Sequence, residues 1–471
     1  MYQCPNCGGG LRFDIPSQKM KCDFCQTIAE SSAFQSFHGA EEDTEFEVTK
    51  FLCPQCGAEI ISQDNTAAAF CSFCGASTLL TSRLSRERKP DAIIPFKKTK
   101  EDCIAAYQKK MKRSFFAPND FKDSRCVNSF RGIYMPYWVY DVSHKGVFNL
   151  HGKKYHREGS YDITRHFTLS GKIDADYQGI THDAASEFSD DISESIAPYN
   201  IKELQHFNAA YLSGFYADTY DVDSRTYDED VLKLTTDLSY KQVSSNPVFQ
   251  GYSIDLSETG KRNLFSTTMP YPHYALLPVW FMSYRKGDRV AYVTINGQTG
   301  KIAADMPVDY KKYALASLLL ALPIFILLNF FLSITAKSVS VVAMIIALLT
   351  IIISFVETLS IVKKDSGVTD KGLQAGSKKK RSRSLSLTQL FKKRWKEKKG
   401  VVGLLVASFA VLFTVLILVF NPVSDYFYYA GAIFSIIAVF LLIIDIMREY
   451  NILATRKLPQ FNREGGDDRA R

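Results

Sequence analysis

Four Cys-x-x-Cys pairs constrain this chain more than any other feature. Cys4-Pro-Asn-Cys7 is followed after fourteen residues by Cys22-Asp-Phe-Cys25. Cys53-Pro-Gln-Cys56 is followed, again after fourteen, by Cys71-Ser-Phe-Cys74, so the arrangement repeats with a period of 49. Each pair makes a knuckle that aims two sulfurs at one point. The residues between can form a hairpin that brings the second knuckle opposite the first. Four thiolates placed in this way close a tetrahedral zinc shell with no open position. Gly8, Gly57 and Gly75 follow the second cysteine of a knuckle, where a left-handed backbone is often needed; Gln26 takes that place in the remaining one.

Eight of the ten cysteines belong to these pairs. Such regular spacing suits a metal in a reducing compartment better than a secreted disulfide scaffold. Rubredoxin-like iron is the rival occupant, and thioredoxin-like redox chemistry would need one pair within a βαβ pattern. The expectation is two structural Zn(2+) ions. One is held by Cys4, Cys7, Cys22 and Cys25, the other by Cys53, Cys56, Cys71 and Cys74. Each ion would fold a small β ribbon, at residues 1–29 and 51–82, with an acidic segment at 30–50 between them that reads as a linker, or as a peptide arm that pairs with a ribbon hairpin. No secretory signal is expected, because Met1 to Ala29 lacks an apolar core and already holds four cysteines.

Charge decides what such ribbons contact. Residues 1–82 hold four Lys/Arg (Arg12, Lys19, Lys21, Lys50) against ten Asp/Glu, before counting four thiolates per metal. Affinity for nucleic acid rests on cations that displace counterions from phosphates. Protein docking is therefore the reading favoured over nucleic acid. The net charge of +8 comes from one stretch, 363–400, with fourteen Lys/Arg against three Asp/Glu.

Four apolar runs fill the C-terminal part: Ala314–Ile334, Ser338–Val362, Val401–Phe420 and Phe427–Met447. Each is long enough to cross a bilayer as a helix. They read as two hairpins, 313–362 and 401–447, with a tail at 448–471. The short turns carry one basic residue at most, and the connecting loop carries fourteen. The positive-inside rule then places both termini and the loop in the cytoplasm of a multi-pass cell-membrane protein. Glu357 and Asp445 lie near the same side of their spans, either reaching the interface or forming a polar pair inside the bundle. Within the loop, Leu387, Leu390, Phe391 and Trp395 recur at helical spacing among lysines. The segment 378–399 reads as a basic amphipathic helix for an anionic leaflet, or as a charge cluster that only sets topology.

Residues 91–308 read as an α+β domain. Ile93 to Phe96 is a short strand, and Thr99 caps a helix that turns Cys103, Ala106, Tyr107 and Met111 inward. Tyr134–Val142 and Leu277–Tyr284 are aromatic strands, each with Pro two residues before Trp. Asn296 to Lys301 is a turn. Asp174 to Asp230 leans helical, with Glu187, Asp190, Asp191 and Glu194 on a solvated face. His144, His151, His156 and His166 read as packing or surface residues, and Cys103 and Cys126 as core thiols. No HExxH, GxSxG, P-loop or helix-opening GxGxxG is present, so no enzyme is expected. The fold class is thus multidomain: two small β zinc ribbons, an α+β middle domain and a four-helix transmembrane region.

This order of parts resembles the bacterial TFIIB-type zinc-ribbon membrane proteins, often labelled by analogy with the primosomal helicase PriA. The resemblance rests on CPxCG…CxFC at Cys4–Cys25 and Cys53–Cys74. It extends to Ile94-Pro95-Phe96, Met135-Pro136-Tyr137-Trp138, Asn296-Gly297-Gln298-Thr299-Gly300 and the C-terminal spans. It implies a membrane-anchored adaptor that recruits cytoplasmic proteins, of the kind encoded beside flotillin-like (SPFH) and phage-shock-protein-A-like proteins. The alternative is a membrane-tethered nucleic-acid-binding ribbon protein linked to replication or transcription. No helicase motif supports the primosomal label.

Overall fold

The structure, a computed structural model, describes residues 2–31, 45–62, 71–74, 81–123, 129–186, 188–254, 256–331, 335–365, 371 and 401–458. The first ribbon is a three-stranded sheet of β1 (Leu11–Asp14), β2 (Lys19–Cys22) and β3 (Ile28–Ala29). The second ribbon contributes β4 (Glu45–Leu52), β5 (Glu59–Ser62) and β6 (Thr81–Arg88). Residues 45–50, expected in the linker, are therefore strand: Phe46 and Val48 alternate inward while the strand pairs with both neighbours. After β7 (Ala92–Ile93) comes α1 (Lys100–Arg113), whose start is a capping box between Thr99 and Asp102. Its buried face is Cys103, Tyr107 and Met111, four residues apart.

Two long strands follow, β8 (Arg131–Glu158) and β9 (Tyr161–Asp183), joined by a turn at Gly159. The chain then passes through α2 (Asp190–Ile196), β10 (Gln205–His206), β11 (Tyr216–Ala217), α3 (Asp228–Ser244), β12 (Ser253–Ile254), α4 (Glu258–Arg262) and β13 (Ser266–Thr268). Of the stretch expected to lean helical, Asp174 to Asp230, the part beyond Asp183 holds α2 and three 3-10 turns among loops, while the part up to Asp183 is strand. Its Ile, Tyr and Thr content suits a ladder against β8. The sheet is completed by β14 (His273–Lys286), β15 (Arg289–Asn296) and β16 (Ile302–Ala304).

In the central sheet β14 and β8 lie side by side, antiparallel. Residues 132–140 of β8 are buried without interruption, because both faces are covered. Tyr134, Trp138 and Tyr140 face α1 and the first ribbon, packing in one cluster with Leu11, Phe13 and Met20. Ile133, Met135, Tyr137 and Val139 face the other way, in one cluster with Cys53, Cys56, Phe73 and Cys74. The second ribbon is also joined edgewise, since β11 pairs with both β5 and β8. The second ribbon's strands thus extend the mixed sheet at one edge, and the two cages lie against its opposite faces.

Beyond Val142 burial becomes alternate. Phe148 and Leu150 pack with Leu169, Ile173, Val243, Phe249 and Phe265, while Lys145, Val147, Asn149 and His151 face solvent. Here β8 and β9 form an arm that outruns β14, whose last pairing is His273 with Val139.

The C-terminal part is helical: α5 (Tyr310–Phe331), α6 (Ala336–Asp365), α7 (Val401–Phe420) and α8 (Asp425–Leu453). Three segments are long and apolar enough to cross a membrane among the described residues: Ala336–Ile361, Gly403–Phe420 and Asp425–Leu453. Ser340 meets Gly431, where an added Cβ would lie 3.2 Å from its hydroxyl, and Thr358 meets Glu449, each pair 91 residues apart. The helices α6 and α8 therefore run parallel and in step for about five turns. Their buried positions recur every seven residues: Ser340, Ala347, Ser354 and Ile361 against Gly431, Ala438 and Asp445. Small residues at that period bring two backbones close, as membrane helix pairs require.

After α8 the chain turns back as β17 (Arg456–Lys457) and pairs with the start of β15. Arg289 closes the helix end, donating to the carbonyls of Ile452 (2.6 Å) and Thr455 (2.8 Å) and to the Thr455 hydroxyl (2.7 Å). Asn451 exchanges two hydrogen bonds with the Val308 backbone. The central sheet and the helices are thereby joined beside the turn between Lys286 and Arg289.

Candidate metal centres

Each ribbon closes its four cysteines through the same local chemistry. In the first, the Cys4 N–H donates to the Gly9 carbonyl, and the Gly8 N–H returns to Cys4. In the second, Cys53 and Gly57 repeat both bonds. Gly8 and Gly57 adopt φ of 71° and 76°, the left-handed turn that folds the sulfurs inward. Gln26 holds the same turn at φ 61° despite its side chain, whose amide donates to the Asp23 carbonyl. Gly75 lies outside the described residues.

The sulfurs converge as expected from the spacing. In each group one ligand atom per cysteine lies within 4.8 Å of all the others. Cys4 to Cys25 and Cys7 to Cys22 are 3.5 Å apart, Cys53 to Cys74 3.8 Å and Cys56 to Cys71 3.7 Å. These separations are far too long for disulfide bonds. A tetrahedron with metal–sulfur bonds of about 2.3 Å has edges of about 3.8 Å. Both groups therefore fit a metal ion.

Electrostatics argue the same way. Hydrogen bonds from the Thr27 hydroxyl, then its backbone N–H, hold Cys25 down at about 6. The Gly9 N–H favours a thiolate at Cys7, yet the sulfurs of Cys25 and Cys22 push it up to about 12. In the buried group the thiols of Cys56, Cys71 and Cys74 draw Cys53 far down. The charge on Cys53 in turn drives Cys56 and Cys71 up. In the second cage one thiolate is stabilised by its neighbours and further thiolates are repelled; in the first, Cys4 and Cys25 are lowered while Cys7 is raised. A divalent cation removes that repulsion.

The two centres differ in setting. All four cysteines of the second are buried, whereas Cys7 is exposed and Cys25 half-exposed in the first. The repeated Cys-x-Phe-Cys knuckle shows the same contrast. Phe73 is 1% exposed and packs against Phe281, and its carbonyl accepts from the Tyr292 hydroxyl at 2.7 Å. Phe24 is 80% exposed. The first ribbon is held by other contacts: the Phe13 N–H donates to Ser213, Gln18 donates to the Phe96 carbonyl, and Phe13 meets Tyr211 edge-on.

Several of the residues singled out in the sequence come together. Phe96 meets Tyr134 and Trp280 edge-on, and Lys97 and Lys98 donate to the Gly297 carbonyl. A Cβ at Gly297 would lie 2.6 Å from the Phe96 ring. The Ile-Pro-Phe and Asn-Gly-Gln stretches thus pack as one knot with Tyr134 and with Pro278 and Trp280 of the second aromatic strand, beneath the first ribbon. Lys50, counted among four cations, is buried between Glu59 (2.9 Å) and Glu87 (2.6 Å), so it offers nothing to a phosphate.

Others do not converge. His144 is buried, with Nδ1 2.9 Å from the Thr267 hydroxyl, while His151, His156 and His166 are exposed along the arm. Cys103 is buried and pushed up to about 12 by that burial. Asp190 accepts from the Tyr227 hydroxyl and, with Asp230, engages Lys371. Cys126, Glu187 and the 378–399 segment lie outside the described residues. Asp445 is buried on α8 beside Gly403, and Glu357 is half-buried on α6. Glu449, one helical turn beyond Asp445, is a second buried acid on the same helix. It lies past Met447, where hydropathy alone ends the fourth span, and its i, i+4 spacing from Asp445 is the signal that could have found it.

No family model matches the chain, and no solved structure matches it. Among curated proteins, the uncharacterized protein YdjG of Bacillus subtilis (strain 168) is 30% identical over 318 residues. That stretch is 66% of this chain and 92% of YdjG. The chain belongs to the YdjG family. In this YdjG-family chain the two cages are candidate metal centres by donor set, distance and charge.

Proposed function

We propose that this protein is a membrane-anchored zinc-ribbon scaffold that presents docking surfaces for other proteins. Zinc is the ion that four thiolates in a closed tetrahedron suit best, and the ions would be structural. Four spans are proposed, α5 joining α6, α7 and α8, with both termini and the 363–400 loop cytoplasmic. Outward-pointing Leu315, Leu318, Leu319 and Leu322 on α5 support the added span.

The observation that carries this reading is the join between sheet and helices. Arg289 and β17 tie the central sheet to the end of α8, and each face of that sheet carries one cage. A ribbon held at a set place relative to a membrane is what recruitment needs. The partner class implied by the family resemblance is a flotillin-like (SPFH) protein.

The test uses the full chain in detergent. Zinc-loaded protein is expected to retain a flotillin-like protein that chelator-treated protein releases. Equal retention with and without metal overturns the role given to the ribbons. Steeply salt-dependent DNA binding by the same preparation would replace docking with the nucleic-acid alternative.

A further inference from the structure

The C-terminal rim of α1 combines two features that helix chemistry alone does not require. Lys109, Lys112 and Arg113 are exposed at i, i+3 and i+4, on one side of the helix. None of them forms an ion pair among the described residues. Cations in a last turn offset the helix dipole, but the dipole does not account for the aromatic rings beside them. Phe115 is 68% exposed, set edge-on to Phe116 at 5.4 Å. Phe116 is 5.4 Å from the ring of Tyr313 on α5, and its carbonyl accepts from the Asp309 N–H. Lys312 donates to the Ala117 carbonyl and to Asn119, both at 2.7 Å. The rim is thus locked to the first turn of α5. Its aromatic surface runs on into Tyr310, Tyr313, Leu315, Leu318 and Leu319.

We propose that this rim is a docking surface for anionic phospholipid headgroups. Phe115 enters the interfacial layer, while Lys109, Lys112 and Arg113 hold the phosphates. Two arguments fix the occupant. The patch is continuous with the outward face of α5, so the proposal rests on the reading of α5 as a span. Its three unpaired cations lie beside exposed aromatic rings, the composition that suits a charged leaflet surface. The surface is distinct from the 378–399 segment and belongs to the soluble domain itself. It would fix the tilt of that domain over the bilayer.

The experiment adds one indole at a time to the full chain, in lipid nanodiscs containing brominated acyl chains, with Trp395→Phe as background and the signal of the buried Trp138 and Trp280 subtracted. Phe115→Trp reports the rim, Leu319→Trp the span, and Val248→Trp an exposed turn of the middle domain. The Phe115→Trp indole is expected to be quenched. Brominated phosphatidylglycerol should quench it several-fold better than brominated phosphatidylcholine at equal mole fraction, since each nearby cation favours anionic lipid roughly fivefold. Lys109→Gln, Lys112→Gln and Arg113→Gln together should abolish that preference and leave the quenching. If Leu319→Trp is quenched while Phe115→Trp stays as unquenched as Val248→Trp, the rim does not meet lipid and the proposal falls. Equal quenching by the two lipids overturns its anionic part. If Leu319→Trp is itself unquenched, the span reading fails and takes this proposal with it.

Discussion

Phe24 and Phe73 occupy equivalent places in a repeated motif, and burial alone separates them. Phe73 fills the space between the second cage and Phe281. Truncating it to Ala should cost about 3 kcal/mol, as for other fully buried aromatic rings. Phe24→Ala should change stability by less than about 0.5 kcal/mol. Thermal unfolding followed by the buried Trp138 and Trp280 distinguishes the pair. Nothing in Cys-x-Phe-Cys discloses this difference, because it depends on which sheet face the knuckle meets.

His144 gives a pH signature at the same scale. Burial lowers its pKa, and its Nε2 has no partner among the described residues. An unfolded imidazole titrates near 6.5. Below that pH the unfolded chain takes up the proton first, so the stabilising contribution is complete above about 6.5 and lost as pH falls through the folded value. His182, also lowered chiefly by burial, adds to the slope. Denaturant midpoints between pH 7 and 5 should fall less steeply in His144→Gln than in the parent.

Among elements, the pairing of α6 with α8 depends on small side chains at a seven-residue period. Ala347 and Ala438 are both fully buried in it. Ala438→Leu should cost about 1–3 kcal/mol by overpacking, seen as a lower unfolding temperature in detergent. Phe440→Leu, on the exposed side of the helix, should have little effect. The helix end has its own test. Arg289→Ala removes three hydrogen bonds at the close of α8, each worth about 1.5–3 kcal/mol when one partner is charged. Amide exchange at Arg456 and Leu458 should speed by roughly tenfold or more, while exchange within β14 stays slow.

Much at this scale was legible. The Thr99 cap, the helix with Cys103, Tyr107 and Met111 inward, both aromatic strands and the apolar helices all rest on local periodicity. The seven-residue spacing of Ser340, Ala347 and Ser354 was equally available. What local pattern could not show is pairing between distant segments. Residues 45–50 read as linker because the acidic flank hid an alternation that only β5 and β6 make meaningful. The return of β17 to β15 leaves a two-residue trace that no pattern marks.

For the molecule as a whole, the cages were readable because eight sulfurs at set spacing leave few other solutions. Their attachment was not. Independent ribbons on a tether were the simplest expectation, and instead the two cages lie against opposite faces of one sheet. Metal removal should therefore be felt beyond the ribbons. Treating the full chain with a strong chelator should expose trypsin sites at Arg83, Arg86 and Arg88 and lower the melting temperature of the central sheet. The helical signal of the C-terminal part should persist, because α6, α7 and α8 pack among themselves. Release of both ions with no change in protease sensitivity would show that the cages merely decorate the fold.

The arm built by β8 and β9 continues nineteen residues past the last rung it shares with β14. At about 3.3 Å per residue that is a reach of roughly 60 Å, somewhat less with twist. It leaves from the end of the sheet opposite the helices. A load applied at Tyr155 or Tyr161 is shared with β12 and β13, which pair with β8 along this arm, before it reaches the β8–β14 seam.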